Sequence, residues 1–348
     1  MPNHNKNNIV LILSCLIFFI LTDYQAGFGG INISKSGTTA ASILDIPMSP
    51  RGLAMGSAVI ANLPDGATFS WNPALASQYR HLQISLMNMP WLVDTKINHF
   101  SVIAPTTYGI VGVYLSTWSM GDVIVRNEYY QEGTGEKFSA DDMVIGLAVA
   151  RNLTDHFAIG GTVKYIQERI WHTSASGWAV DFGTLFKIDI GNGLRIGTTL
   201  ANYGTEMKMA GRDLYHYHDP NETMDGNNEN IISSYETNSW PLPLTFKIGL
   251  STDIVAKSNL KWIVEMDAVN PSNNYGSLGL GTEITFGKWL ALRVGAERLF
   301  LRDENVSFGA GFGLNLPPLS SFNANFSYGF RNYNELGIVH GFSMEFGF

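Results

Sequence analysis

After residue 15 the sequence contains no cysteine. The single thiol of the 348-residue chain is Cys15, so everything downstream folds without a disulfide, and a small disulfide-stapled scaffold is excluded. Charge is also scarce. Asp, Glu, Lys and Arg together make up 15%, against about a quarter in soluble domains. Basic clusters are missing. Lys and Arg number 22 against 30 Asp and Glu, for a net charge of −8 and a pI near 5.5, which argues against a nucleic-acid partner. Past the first thirty residues no apolar run approaches the roughly 20 residues that a spanning helix needs. The polar loop from Asp213 through Tyr215, His216, Tyr217, His218, Asp219 and Glu222 to Asp225 holds metal-capable groups, but its spacing matches neither a zinc nor an EF-hand pattern. No nucleophile motif accompanies its His and Asp residues. The sequence therefore predicts no metal, no cofactor and no enzyme.

What the chain does have is glycine, 36 residues of it, and aromatics at 12%, with a mean hydropathy of +0.03. At the N-terminus, Lys6 precedes an apolar stretch from Ile9 to Leu21. That is a charged start and a core of signal-peptide length, with cleavage expected near Ala26, so residues 1–26 read as a signal peptide. Cys15 lies inside that apolar stretch, so it reads as part of the signal core and not as a lipidation site. An exported, apolar chain without spanning helices points to a membrane β-barrel.

From His81 onward, apolar and polar residues alternate with period two. Phe157, Ile159, Val163 and Tyr165 alternate with Gly160, Thr162 and Lys164. Phe246, Ile248 and Leu250 alternate with Lys247, Gly249 and Ser251. Phe326, Tyr328 and Phe330 alternate with Asn325, Ser327 and Arg331, and Phe342, Met344 and Phe346 alternate with Gly341, Ser343 and Glu345. The apolar side is strongly aromatic. Many segments reach about ten residues, enough for a tilted strand to cross a bilayer. About fourteen strands can be counted. Short turns at 105–108, 152–155, 191–193, 256–259, 287–288 and 316–319 alternate with longer links, notably 119–140 and 204–241. Short turns on one rim and long loops on the other mark an outer-membrane barrel. We therefore predict an all-β, transmembrane antiparallel barrel over residues 79–348, in the outer membrane of a diderm bacterium, surrounded by its lipid. An even strand number places both chain ends of the barrel on the periplasmic side. Phe348 ends the chain on an outward position and is expected to be read by the barrel-insertion machinery.

A barrel of this size encloses more space than side chains fill. Residues 27–78 are expected to plug it, delivered from the periplasmic end. Pro47, Pro50, Pro64 and Pro73 punctuate this stretch, and Gly52, Ala54, Gly56 and Ala58 allow close backbone approach. Arg51 is expected to pin the plug to lumenal acids, with Asp181, Glu265, Asp267, Glu283, Glu297 and Glu345 as possible partners, because a buried charge needs a counter-charge. Met55, Gly56 and Asp65 belong to the same plug. Asn72 and Pro73 read as a turn, and Trp71 reads as a packed aromatic that could also gate a path. Trp91 and Trp118 are expected in a lipid-interface girdle. Tyr215, Tyr217 and Trp240 on the long-loop side are candidates for docking a partner.

The segment Ile43-Leu-Asp-Ile-Pro-Met-Ser-Pro-Arg51-Gly-Leu-Ala-Met-Gly56, followed by Trp71-Asn72-Pro73-Ala74, resembles the start of the PorV/PorQ family, outer-membrane barrels related to the long-chain fatty-acid transporters. The likeness covers the plug closely and the barrel by pattern and strand number. The chain departs from the family pattern at Pro64-Asp65-Gly66, where paired acids are usual, and at Leu75, where glycine is frequent. The resemblance implies about fourteen strands, an N-terminal plug and a role in type IX secretion, with secretion subunits and exported cargo as partners at the cell surface. The alternative is an outer-membrane transporter of hydrophobic small molecules gated by the plug.

Overall fold

A computed structural model of the chain describes residues 35, 37–62, 64–220, 230–301, 305–319 and 322–348. The expected signal peptide, with Lys6 and Cys15, lies outside the described residues. Fourteen strands form the wall: β1 Gln83–Pro90, β2 Lys96–Thr106, β3 Gly109–Ser119, β4 Ala140–Asn152, β5 Phe157–Ile170, β6 Thr173–Ile188, β7 Leu194–Gly204, β8 Thr245–Lys257, β9 Leu260–Pro271, β10 Ser277–Phe286, β11 Leu290–Leu299, β12 Ser307–Leu319, β13 Phe322–Asn332 and β14 Ile338–Gly347. Each is antiparallel to the next. β14 returns to β1 with Phe346 opposite Ile84 and Met344 opposite Leu86, so the sheet is closed and no strand edge meets lipid.

The period-two pattern sorts side chains between lipid and bore. On β4, Leu147 is 64% exposed while its neighbour Ala148 is 3% exposed. Along the hydrogen-bonded row Leu86, Phe100, Leu115, Ile145, Tyr165 and Trp178, every residue is on the outer face. In water that surface would be an aggregation hazard; in a bilayer it is the required solvent match. The strands run from 8 to 16 residues.

The six links after β2, β4, β6, β8, β10 and β12 are short and share one rim with Gln83 and Gly347. The opposite rim carries the long links. Residues 120–139 contain a small ribbon, Val123–Ile124 with Lys137–Phe138. Residues 205–244 contain two more, Met207–Lys208 with Ser239–Trp240 and Tyr215–His218 with Ile231–Ser234. One link on this rim, at 171–172, is only two residues long, and the strand beyond it is flanked by Ala210–Gly211 of the long loop. By the rule that short turns face the periplasm, the long-loop rim is extracellular.

Residues 37–62 and 64–78 lie in the bore and join β1 at the short-turn rim. The described start of this segment lies at the extracellular rim. Ala40 N–H donates to Pro241 O at 2.9 Å, and Asp45 accepts from Asn273 Nδ2 at 2.7 Å. From there the segment descends through short helical turns, Ser42–Asp45, Pro50–Ala54, Thr68–Trp71 and Pro73–Gln78. It leaves at the short-turn rim, where Asn152 Nδ2 donates to Ser77 O. Prolines at the first positions of two of these turns, with Ser49 and Asn72 as caps, explain why they stay short and well bounded.

Candidate functional site

The plug has two layers. The lower is a floor spanning residues 49–72. Ser49 caps the turn Pro50–Ala54 by accepting from Gly52 N–H at 2.9 Å. This aims Arg51 at β10, where its Nε lies 3.0 Å from Glu283 Oε2 and its Nη2 donates to Glu283 Oε1 at 3.2 Å. Arg293 Nε of β11 donates to the same carboxylate at 2.6 Å. Burial works against the Arg51 charge, but Glu283 and then Asp65 outweigh it and hold the guanidinium above its ordinary value. Burial in turn pushes the Asp65 carboxyl up, against the pull of Arg51.

Arg331 of β13, which the sequence reading did not single out, is fully buried and grips the other end of the same turn. Its Nε donates to Leu53 O at 3.0 Å and its Nη2 to Gly52 O at 2.6 Å, while Nη1 reaches Ser57 Oγ and Glu297. A guanidinium satisfying helix-end carbonyls stabilises a turn too short to hold itself. Beyond it, Val59 and Ile60 N–H donate to Asp267 Oδ2 at 2.8 and 3.1 Å, and Ala61 N–H donates to Glu265 Oε1 at 2.6 Å. Gly66 N–H donates to Glu345 Oε1 at 3.0 Å, and Gly66 O accepts from Ser101 Oγ. Asn72 caps Pro73–Gln78 by accepting from Ala74 N–H, and its Nδ2 donates to Ile60 O and Thr184 O.

Of the six acids proposed as partners for Arg51, the structure brings only Glu283 to it directly. Glu265, Asp267 and Glu345 take plug backbone amides, and Glu297 reaches the plug through Arg331 and the Ser57 hydroxyl. Asp181 stands apart. It pairs with Lys164 Nζ at 2.8 Å and accepts from Asn202 N–H, fixing a bulge where β7 leaves register with β6.

Glycines on the wall make room for this floor. A Cβ on Gly295 would strike the backbone of Met55 and Gly56, one on Gly309 would strike Leu53 O, one on Gly329 would strike Pro50, and one on Gly197 would strike Ile60 O. The inward glycines that the alternation exposes therefore mark where backbone lies directly on backbone.

The upper layer is a strap over residues 37–48. Between it and the floor lies a cavity of about 40 Å³ lined by Ile43, Asp45, Met48, Trp71, Tyr114 and Lys247, among others. Trp71 is a packed aromatic, lying against Gly52. Lys247 Nζ sits 5.5 Å above its ring centroid. Trp91 and Trp118 are not lipid-interface residues, contrary to expectation. Trp118 shares the inward parity of Tyr114 and Ser116, its Nε1 donates to Thr95 Oγ1, and Trp91 packs edge-on to Tyr333. Both cover the plug from within the extracellular rim.

Tyr215 and Tyr217 stand exposed on one face of the outer ribbon, and Trp240 is exposed on the neighbouring one. Asp213 is engaged with His172 Nδ1 at 2.9 Å, and His216 stacks on Tyr235 at 4.2 Å. Residues 221–229 of the metal-capable loop lie outside the described residues. Among the described residues, no group of three metal-ligating side chains converges.

No protein-family model and no curated protein sequence matches the chain. Solved structures do. The toluene transporter TodX of Pseudomonas putida superposes with a TM-score of 0.54 at 11% identity, over 86% of this chain and 96% of that one. The toluene transporter TbuX of Ralstonia pickettii gives 0.52 at 10%, over 86% and 97%. A FadL homologue of Pseudomonas aeruginosa gives 0.52 at 9%, over 87% and 98%. The chain shares their fold. It is an outer-membrane type of fourteen-stranded barrel. At these identities the likeness speaks to architecture alone.

Proposed function

We propose that this protein is a non-enzymatic outer-membrane barrel that admits small hydrophobic molecules from outside, with the strap as its gate. The observation that carries the reading is the cavity between strap and floor, set in a fold shared with barrels described as toluene transporters. The ladder from β2 through β3 to β4 is unbroken, so passage runs along the plug and not through a side opening there. Release into the periplasm requires the floor to part from the wall. The test is toluene uptake into vesicles carrying the purified barrel, compared with a barrel whose strap is locked by a disulfide between Asp45→Cys and Asn273→Cys. Uptake that falls on oxidation and returns on reduction supports the reading, and uptake equal to protein-free vesicles removes it.

A second reading, a docking component of type IX secretion like the PorV/PorQ barrels, is favoured by one specific feature: the floor's buried ion pairs keep the bore shut while Tyr215, Tyr217 and Trp240 stay exposed outside. A docking protein needs no open lumen. Recovery of secretion subunits or exported cargo with the tagged barrel from native membranes would favour this reading. In both readings Phe348, outward and packed near Phe322, serves the insertion machinery, and outer-membrane lipid surrounds the wall.

A further inference from the structure

The cations lining the middle of the bore are matched to acids. Lys164 holds Asp181, Arg293 holds Glu283, and Arg331 holds Glu297. Lys247 breaks this pattern. It points inward from β8, between Thr245 and Gly249, and has no ion pair or hydrogen bond among the described residues. Its one direct contact of note is the face of Trp71. Asp45, and more weakly Asp267, Glu297 and Asp181, act on Lys247 from beyond ion-pair distance. A half-buried lysine without a direct carboxylate contact is incompletely compensated, so its place beside a cavity leaves room for an anionic occupant. A second group gives the same indication. Trp71 is 6% exposed, yet its indole Nε1, a donor only, has no partner among the described residues. Among the described residues, two donors without acceptors thus line one cavity together with Tyr114, itself stacked on His99 at 5.6 Å.

We propose that this cavity is a binding site for a small aromatic carboxylate, with the carboxylate on Lys247 and the ring on the Trp71–Tyr114 platform. The proposal rests on the transport reading and refines it from hydrocarbons to ring compounds bearing an anionic group. Ligand size follows from the layers. The floor closes the bore beneath Trp71, so a long chain has nowhere to extend, whereas a single ring fits once the strap lifts. As it stands, the cavity has room only for a few waters. Asp45 accounts for the gating. It is the strap's own carboxylate, it lines the same cavity, and Asn273 holds it at the mouth. A ligand carboxylate arriving at Lys247 takes over the field that Asp45 supplies, repels Asp45, and favours the lifted strap.

The experiment is calorimetric titration of the full barrel in detergent with benzoate, toluene and acetate. Toluene keeps the ring without the charge, and acetate keeps the charge without the ring. We expect benzoate to bind more tightly than either. Lys247→Met should weaken benzoate by about tenfold or more and leave toluene unchanged, while Lys247→Arg should retain benzoate. Trp71→Phe provides a second, fold-preserving probe and should also weaken benzoate. Toluene binding as tightly as benzoate, with no effect of Lys247→Met, overturns the carboxylate site while the transport reading stands. Acetate matching benzoate overturns the aromatic requirement. Binding of none of the three overturns the site, and absence of toluene uptake in the vesicle assay then removes the transport reading separately.

Discussion

The two layers of the plug are held in different ways. The floor, residues 49–72, is bound by buried charges and by backbone pressed onto wall glycines. The strap, residues 37–48, buries Ala41, Ile43 and Met48, but its polar ties to the wall are a few hydrogen bonds at the rim, to Pro241, Glu168 and Asn273. Water competes for the strap's polar ties at the rim and not for the floor's buried ion pairs. A hydrogen bond between exposed groups contributes about 1 kcal/mol or less, whereas removing one partner of a buried ion pair costs about 3–5 kcal/mol. One continuous segment therefore contains a fixed stopper and a loosely held lid. The difference shows where motion is cheap.

The comparison can be broken most forcefully at Glu283. Glu283→Ala leaves Arg51 and Arg293 together without their carboxylate, and we expect a loss of about 3–5 kcal/mol, read as a lower temperature for the heat-induced shift from folded to unfolded barrel on gels. A loss below 1 kcal/mol would show that the floor is not held by this pair. Next comes Gly295→Val, which places a branched side chain where Met55 and Gly56 now lie. Overpacking of this kind costs about 1–3 kcal/mol, and protease cleavage within residues 50–62 should appear while the wall stays resistant. Ser49→Ala removes the cap and should cost about 1 kcal/mol, without exposing the strap to additional cleavage. At the small end, Asn273→Ala should leave the unfolding temperature within error, yet raise protease access to residues 38–48, because it frees only Thr39 and Asp45 of the strap.

Much of this architecture could be read from residue order. The strands were legible because lipid and lumen impose period two on every segment, as in Phe246, Ile248 and Leu250 against Lys247, Gly249 and Ser251. The inward acids were legible for the same reason. Each interrupts the polar face of an otherwise greasy strand. Partner choice was not, because it depends on how far each strand is staggered along the barrel. That stagger puts Glu283 beside Arg51 and leaves Asp181 with Lys164. Arg331 was hidden because an arginine at the end of an aromatic strand looks like a rim residue, and only the path of the plug brings Leu53 O to it. Trp91 and Trp118 misled for a related reason. Tryptophan near a strand end is common at lipid interfaces, but the parity of Trp118 with Tyr114 and Ser116 was the signal that it faces inward.

Amide hydrogen exchange of the purified barrel, resolved by peptide, tests the central claim most directly. The account predicts slow exchange at Val59, Ile60 and Ala61, whose amides are held by Asp267 and Glu265, together with fast exchange across residues 38–48. Equal rates in the two layers, or a strap slower than the floor, would contradict it.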